Sequence, residues 1–145
     1  MDYTEAFDFV EKLEADGFRI AIDISNPSDI KILVGSNSGR RLPPGSRSVI
    51  LNSRSKIFYA VAVRELMNRF TDLTDLISIA YYEGADVSEV DYLEERIAIA
   101  IGTMRGSIVS SVYESAYFQA VKMIERLYSI PSRLIVERQK RRSSL

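Results

Sequence analysis

The sequence contains neither cysteine nor histidine among its 145 residues. Without cysteine the chain has no disulfide, no thiolate nucleophile and no cysteine-ligated zinc or iron–sulfur site. Without histidine it has no Ser-His-Asp triad and no imidazole proton shuttle, so catalysis would depend on carboxylates, lysine, tyrosine or a hard metal ion. We therefore expect a protein that is not an enzyme and that needs no cofactor.

Long apolar runs are missing as well. The run at residues 97–101 ends at Gly102, and a membrane span needs roughly 18 to 20 apolar residues. The N-terminus is acidic and amphipathic, which is not the pattern of a signal peptide. With 46% hydrophobic and 27% charged residues, the composition is that of an ordinary globular protein. These features predict a compact cytoplasmic protein with no membrane partner.

The first 53 residues predict one helix and a small antiparallel sheet. Residues 4–15 have apolar side chains at helical spacing, with Thr4 as the candidate cap, and Asp16-Gly17 ends that helix. Residues 18–24 alternate between apolar and polar, which is typical of a half-buried strand, and a second strand follows at 30–34. A short third strand is predicted at residues 49–52.

From residue 54 onward the apolar spacing of three and four predicts helices. We place them near residues 54–70, 72–83, 88–104 and 107–129, with Pro131 ending the last one and a short helical or extended segment at 132–139. The fold class is thus α+β: a small N-terminal α-β-β-β portion with a long basic loop, followed by a larger helical bundle. Residues 1–130 are expected to form one domain, and residues 131–145 a basic C-terminal tail.

Residues 97–124 are largely apolar, which places them at the centre of the bundle or at a subunit interface. Within this segment Ala98, Gly102, Gly106 and Ser110 recur every four residues. Small residues at this spacing allow another helix to approach closely, and close packing inside a soluble bundle or a bend near the two glycines accounts for them most simply.

Charged residues are distributed unevenly, although the formal net charge is only −1. Residues 31–70 hold eight Lys/Arg and one acid, whereas residues 1–30 and residues 71–100 each hold eight acids. The basic group centres on the Gly/Pro/Ser-rich residues 35–48, which favour turns and a mobile loop. Five basic side chains lie in or beside this loop: Arg40, Arg41, Arg47, Arg54 and Lys56. Such a loop is suited to contacts with a polyanion.

Phosphate is the first candidate ligand of this loop. Guanidinium groups and free backbone amides bind phosphate oxygens without reading bases, and the loop has no aromatic residue on which a base could stack. The tail has a net charge of +4 and offers a second contact through Arg138, Lys140, Arg141 and Arg142. We predict a non-enzymatic accessory or assembly protein that contacts nucleic-acid phosphates.

The same charges are compatible with two further roles. The arginines could keep a solvated loop soluble, or pair with the acidic stretches of the chain itself. They could also bind an acidic partner, which would make the protein an adaptor or inhibitor of the kind found in viral or defence systems. The opposite charge blocks suit contact between copies, so we expect either a protein partner or self-association.

Asp23, Asp29 and Lys31 support a third hypothesis. Their order resembles the Asp…Asp/Glu-x-Lys arrangement of restriction-endonuclease-like nucleases, with Glu11 or Glu14 as a further candidate ligand. The resemblance implies two carboxylates that hold Mg²⁺ and a lysine that positions or activates the attacking water. A charged hairpin turn after Pro27 accounts for the same residues more simply.

Overall fold

The computed structural model describes residues 1–82 and 88–143; for residues 72, 76, 79, 80, 82 and 131–143 it describes the backbone alone. Within these ranges the chain forms five helices and a two-stranded antiparallel sheet. The elements in chain order are α1 (Tyr3–Ala15), β1 (Arg19–Asp23), β2 (Lys31–Gly35), α2 (Ser46–Asn52), α3 (Arg54–Tyr82), α4 (Ser88–Gly106) and α5 (Ser110–Ser143). The predicted α+β class, with a small N-terminal sheet and a larger helical part, is confirmed.

Helix α1 begins at a capping box. The Asp2 carboxylate accepts a hydrogen bond from the Glu5 amide at 2.8 Å, and the Glu5 carboxylate accepts one from the Asp2 amide at 3.2 Å. This reciprocal arrangement satisfies two amides that a helix start leaves unpaired. Asp2 and not Thr4 is therefore the cap, and the predicted cap is wrong by two residues. The bond from the Glu5 amide also lowers the pKa of Asp2.

Strands β1 and β2 pair antiparallel, with Arg19 opposite Gly35 and Asp23 opposite Lys31. Both predicted strands are confirmed to within one residue at each end. Ile20 and Ile22 are buried, so one face of β1 contributes to the core as the alternation predicts. Strand β1 packs against α1 and α3, whereas β2 packs chiefly against β1.

The third strand predicted at residues 49–52 is wrong, because this segment belongs to helix α2. Ser46 and Ile50, four residues apart, are buried, while Leu51 is 73% exposed. That burial follows the helical period, and an apolar run of three residues is too short to distinguish a helix from a strand. The N-terminal order is therefore α-β-β-α, and no described segment pairs with the outer edge of β2.

Helix α3 is continuous where the sequence predicts two helices separated at Thr71. The Thr71 hydroxyl donates to the Met67 carbonyl at 3.0 Å, and the Thr74 hydroxyl donates to the Phe70 carbonyl at the same distance. A hydroxyl bonded to the carbonyl four residues earlier is a contact inside a continuing helix, whereas a cap accepts a hydrogen bond from an amide at a helix start. The predicted break is wrong for this reason.

Helix α4 confirms the prediction to within two residues, but α5 is much longer than predicted. Its backbone remains helical through Pro131 and on to Ser143, so the predicted stop at Pro131 and the separate segment at 132–139 are wrong. A proline inside a helix removes one amide from the hydrogen-bond ladder. The residues on both sides nevertheless continue the same helix here.

The buried apolar side chains form one cluster that extends from α1 to α5. The predicted central segment at residues 97–124 is buried on one side only: Ile97, Met104 and Tyr117 are buried, but Ile99 is 52% exposed. The helical part therefore presents an apolar outer face as well as a core.

Glu65 fixes the sheet to the bundle. Its carboxylate accepts hydrogen bonds from the Ile22 amide of β1 at 3.1 Å and from the Tyr117 hydroxyl of α5. Burial of the Tyr117 ring, together with its bond to Glu65, raises the pKa of that hydroxyl well above its ordinary value. The hydroxyl therefore stays protonated and continues to donate throughout the physiological pH range.

Candidate anion-binding cleft

The loop after β2 is built from turns, and two of its glycines set its path. Gly39 and Gly45 have φ angles of +71° and +83°, in the left-handed region that other residues rarely adopt. The Gly39 amide donates to the Ser36 carbonyl at 3.3 Å, and the Ser46 amide donates to the Pro43 carbonyl at 3.2 Å. These turns fold the loop back toward the end of β2.

An open cleft of about 490 Å³ lies between this loop and the end of β2. Three of the predicted site residues, Arg40, Arg41 and Arg47, line it. Val34, Leu42 and the two prolines form the apolar part of its wall. The structure thus brings two loop arginines, Arg40 and Arg41, and Arg47 of α2 around one concave surface.

Arg40 anchors the loop to the α1–β1 turn. Its guanidinium donates to the Asp16 carbonyl at 2.8 Å and lies 5.2 Å from the centre of the buried Phe18 ring. The same group lies 3.5 Å from the position that a Cβ atom at Gly17 would occupy. Arg40 therefore positions the loop, while its remaining donors stay at the cleft.

Arg41 and Arg47 are both exposed. Neither side chain forms a hydrogen bond or ion pair with any residue in the described part of the chain. A guanidinium group has five N–H donors in a planar fork and keeps its charge at all physiological pH values. These two side chains are therefore the donors most available to an anion in the cleft.

Arg54 has a different environment. Its guanidinium donates to the Glu114 carboxylate at 2.8 Å, to the Ile30 carbonyl at 3.2 Å and to the Tyr113 hydroxyl. It also lies 5.6 Å from the centre of the Phe58 ring. Burial by itself lowers the pKa of Arg54, but the bonds to Tyr113 and Glu114 outweigh burial and hold the pKa above its ordinary value. Arg54 joins α3 to α5 and to the residue before β2, and it does not line the cleft.

Lys56 is also used within the chain. Its ammonium group donates to the Met1 carbonyl and lies 5.5 Å from the centre of the Tyr3 ring. Both contacts hold the start of α1 against α3. Of the five basic residues singled out beside the loop, three therefore face the cleft, and Arg54 and Lys56 hold elements together.

The predicted tail contacts, Arg138, Lys140, Arg141 and Arg142, belong to the last turns of α5. Their side chains lie outside the described part of the structure. Glu114, the partner of Arg54, is near the start of the same helix, and at 1.5 Å per residue position 140 lies roughly 39 Å further along the axis. The tail residues therefore lie far along α5 from the contact between Arg54 and Glu114.

The residues of the nuclease hypothesis lie at the β1–β2 turn. Lys31 is paired with Asp23 across the strands, and its ammonium group lies 3.2 Å from the Asp29 carboxylate. Glu14, the suggested further ligand, forms an ion pair with Arg64. Among the side chains that the structure describes, no three acidic groups are placed together as a metal ion requires. The turn has the geometry of a charged hairpin.

The charge pattern predicts the arginines of the cleft but not its apolar wall. Val34 is a strand residue, and Leu42-Pro43-Pro44 appears in the sequence only as a turn signal. Their joint position beside Arg41 depends on the way the loop returns to β2. That return is set by the glycine turns and by the Arg40 anchor, and no local pattern reveals the anchor.

Comparisons with known protein families, with curated proteins and with solved structures give no match. In the part of the chain that the structure describes, no helix is both long enough and apolar enough to cross a membrane. What the protein binds must therefore be inferred from the residues of the cleft itself.

Proposed function

We propose that this chain is a non-enzymatic accessory or assembly protein of the cytoplasm that binds nucleic-acid phosphates in the cleft of Arg40, Arg41 and Arg47. The observation that carries this proposal is the exposure of Arg41 and Arg47 at one cleft, without partners among the described residues. An unpaired guanidinium group forms charge-assisted hydrogen bonds with phosphate oxygens, often two at a time.

The composition of the cleft favours contact with the backbone over recognition of bases. No aromatic side chain is among the residues that line it, so it lacks the stacking platform of single-strand binders. Arginines on a surface loop bind phosphates and leave the base edges unread. We therefore expect weak dependence on sequence and strong dependence on salt.

The basic end of α5 is proposed as a second, separate contact. Position 140 lies roughly 39 Å along α5 from Glu114, so we expect a ligand that contacts both features to extend over several nucleotides. We therefore expect long oligonucleotides to bind more tightly than short ones, since only long ones can engage both groups of cations.

Fluorescence anisotropy with labelled DNA and RNA, single- and double-stranded, tests the proposal. The Arg41→Ala/Arg47→Ala variant removes the two available guanidinium groups, and we expect its affinity to fall at least about tenfold at low salt. The matched control is Lys12→Ala/Lys122→Ala, which removes the same charge from exposed positions on α1 and α5. Equal losses in both variants, or no binding by the wild type, would reject the cleft as a phosphate site.

A second candidate function is favoured by the outer edge of β2. The Ile22 amide donates to Glu65, so Ile22 and Ile32 are a non-hydrogen-bonded pair in the register of the sheet. By alternation, the amides and carbonyls of Ile32 and Val34 point away from β1. In the described part of the chain nothing bonds to them.

An open strand edge beside a basic cleft suits an extended acidic peptide. Such a segment could add to β2 as a third strand, with its carboxylates near Arg41 and Arg47. The chain would then be a protein-binding adaptor. Competition between a poly-glutamate peptide and an oligonucleotide distinguishes the two functions: tighter binding of the peptide at equal charge supports the adaptor, and tighter binding of the oligonucleotide supports the first proposal.

A further inference from the structure

The outer side of α4 and the turn that follows it carry an exposed apolar patch. Among the described residues, ten large hydrophobic side chains are exposed, and five of them lie on α4, in this turn or at the start of α5: Tyr92, Ile99, Ile108, Val109 and Val112. Ile108 is 87% exposed. A cluster of this kind on a soluble surface usually marks a contact with another macromolecule.

A groove runs between α4 and α5 within this patch. It has a volume of about 490 Å³, and Ile99, Val112 and Met123 contribute to its apolar lining. The groove is shallow and open to solvent along its length, so it suits a helix or a side chain of another molecule more than an enclosed ligand.

The face of α4 opposite the core has room for another helix to approach its backbone closely. Leu93, Ile97 and Met104 are buried on one side, and at 3.6 residues per turn Glu95 and Gly102 lie on the other. A Cβ atom built at Gly102 would meet no described atom within 4 Å. The small residues expected to pack inside the bundle thus face outward, next to the apolar groove.

Charges along this face have opposite signs at its two ends. Glu94 and Glu95 lie in the N-terminal half of α4 and are exposed, and Arg105 is exposed near its C-terminus. Glu94 and Arg105 are separated by eleven residues, about three turns, and so lie on the same flank of the helix. The Arg105 guanidinium is held 5.1 Å from the centre of the Tyr3 ring, which fixes its position at the edge of the patch.

We propose that a second copy of this chain packs on this surface, with its α4 antiparallel to the first and a two-fold axis near residues 99 and 100. In that arrangement each Arg105 lies beside Glu94 and Glu95 of the other copy. The two Ile99 side chains meet near the axis, and Gly102 faces Ala98. A two-fold contact requires a self-complementary surface, and this charge order is self-complementary only when the helices are antiparallel.

Sedimentation velocity and light scattering at about 100 µM test the proposal, because a dimer with micromolar affinity is mostly formed at that concentration. We expect a dimer for the wild type and a monomer for Ile99→Glu. The matched control is Leu51→Glu, which introduces the same charge at an exposed position on α2 and is expected to remain a dimer. A monomeric wild type would overturn the proposal, as would a dimeric Ile99→Glu variant with a native circular dichroism spectrum.

Charge reversal tests the antiparallel geometry. Glu94→Arg and Arg105→Glu should each weaken the dimer at least about tenfold, because each places like charges together. An equimolar mixture of the two variants should dimerise again, since both ion pairs are restored across the heterodimer. A variant that had simply misfolded would gain nothing from mixing. Failure of the mixture to dimerise would therefore reject this arrangement.

The absence of cysteine makes a direct proximity test straightforward. Mixed Ala98→Cys and Gly102→Cys proteins should be joined by a short bismaleimide, whose two rings each add one thiol. The product that joins position 98 of one copy to position 102 of the other is expected to form several-fold faster than the 98–98 and 102–102 products. The reason is that position 98 faces position 102 of the other copy. Equal yields of all three products would contradict the placement of the axis.

Discussion

The arginines at the cleft and the arginine at the start of α3 carry the same charge, but their surroundings differ. Arg41 and Arg47 are exposed at a cleft, and no described residue bonds to them. Arg54 is part-buried and bonds to two side chains of α5 and to the Ile30 carbonyl just before β2. A basic stretch of sequence can therefore divide into residues that are available to a ligand and residues that hold the fold.

The difference follows from what each segment packs against. Arg41 lies in the loop between the turns at Gly39 and Gly45, and Arg47 lies in the first turn of the short helix α2. Arg54 is the first residue of α3, and α5 passes beside it with Glu114 and Tyr113. An acid at this junction neutralises Arg54, whereas no described acid is paired with the loop arginines.

Arg54→Ala should produce the largest effect on stability. The substitution leaves the Glu114 carboxylate and the Ile30 carbonyl part-buried without their donor. We therefore expect the free energy of unfolding to fall by about 2 to 3 kcal/mol. Urea denaturation followed by circular dichroism measures this change. A loss below about 0.5 kcal/mol would mean that Arg54 is as dispensable for folding as an ordinary surface residue.

The double variant Arg54→Ala/Glu114→Ala separates the ion pair from the other contacts of Arg54. It removes the unpaired carboxylate together with the guanidinium group, so it should recover part of the loss seen in the single variant. Additive losses from the two single variants would show that the ion pair is not the source of the effect.

Gly45→Ala should have the second-largest effect, because residue 45 adopts a φ of +83°. A side chain in the left-handed region costs about 1 to 2 kcal/mol. Gly35→Ala is the matched control, since Gly35 lies in β2 with no positive φ and open space around its Cβ position. We expect thermal denaturation to show a lower melting temperature for Gly45→Ala only. Equal decreases in melting temperature for Gly45→Ala and Gly35→Ala would contradict the turn geometry.

Arg40→Ala should loosen the loop with little effect on global stability. The side chain anchors residues 36–45 to the Asp16 carbonyl and the Phe18 ring, and about 1 kcal/mol is typical of one such hydrogen bond. Limited trypsin digestion should cleave after Arg41 several-fold faster in the variant, because local opening exposes that bond. An unchanged cleavage rate would mean that the turns alone hold the loop.

Lys56→Ala should have the smallest effect. Its contacts to Met1 and Tyr3 are partly exposed, and such contacts contribute about 0.5 kcal/mol or less. The affinity for oligonucleotides should be unchanged, because Lys56 does not line the cleft. A drop in affinity comparable to that of the loop variant would place Lys56 among the binding residues, and the division between binding and structural cations would then fail.

Sequence patterns predicted the fold well where the periodic pattern continued over many residues, and poorly where it covered only a few. Alternation located β1 and β2, and helical spacing located α1 and α4. The apolar run at residues 49–51 was too short to show a period. Thr71 and Pro131 are local signals for a helix end, but at each position the surrounding residues continue the helix.

For the site, the sequence predicted which residues are basic but not which of them are free to contact a ligand. Nothing in the local sequence separates Arg47 from Arg54, because the partners of Arg54 lie about sixty residues further along the chain. The apolar wall at Val34 and Leu42 likewise depends on the return of the loop to β2. Such contacts between distant segments are set by tertiary packing, which single-sequence patterns do not contain.

The most direct test of the proposed phosphate site is the salt dependence of oligonucleotide binding in wild-type protein, in Arg41→Ala/Arg47→Ala and in Lys12→Ala/Lys122→Ala. Each lost phosphate contact should lower the slope of log K against log salt concentration by about 1, so the loop variant should lose about 2. The control variant should keep the wild-type slope. Identical slopes for the wild type and the loop variant would contradict the assignment of Arg41 and Arg47 as the phosphate-binding residues.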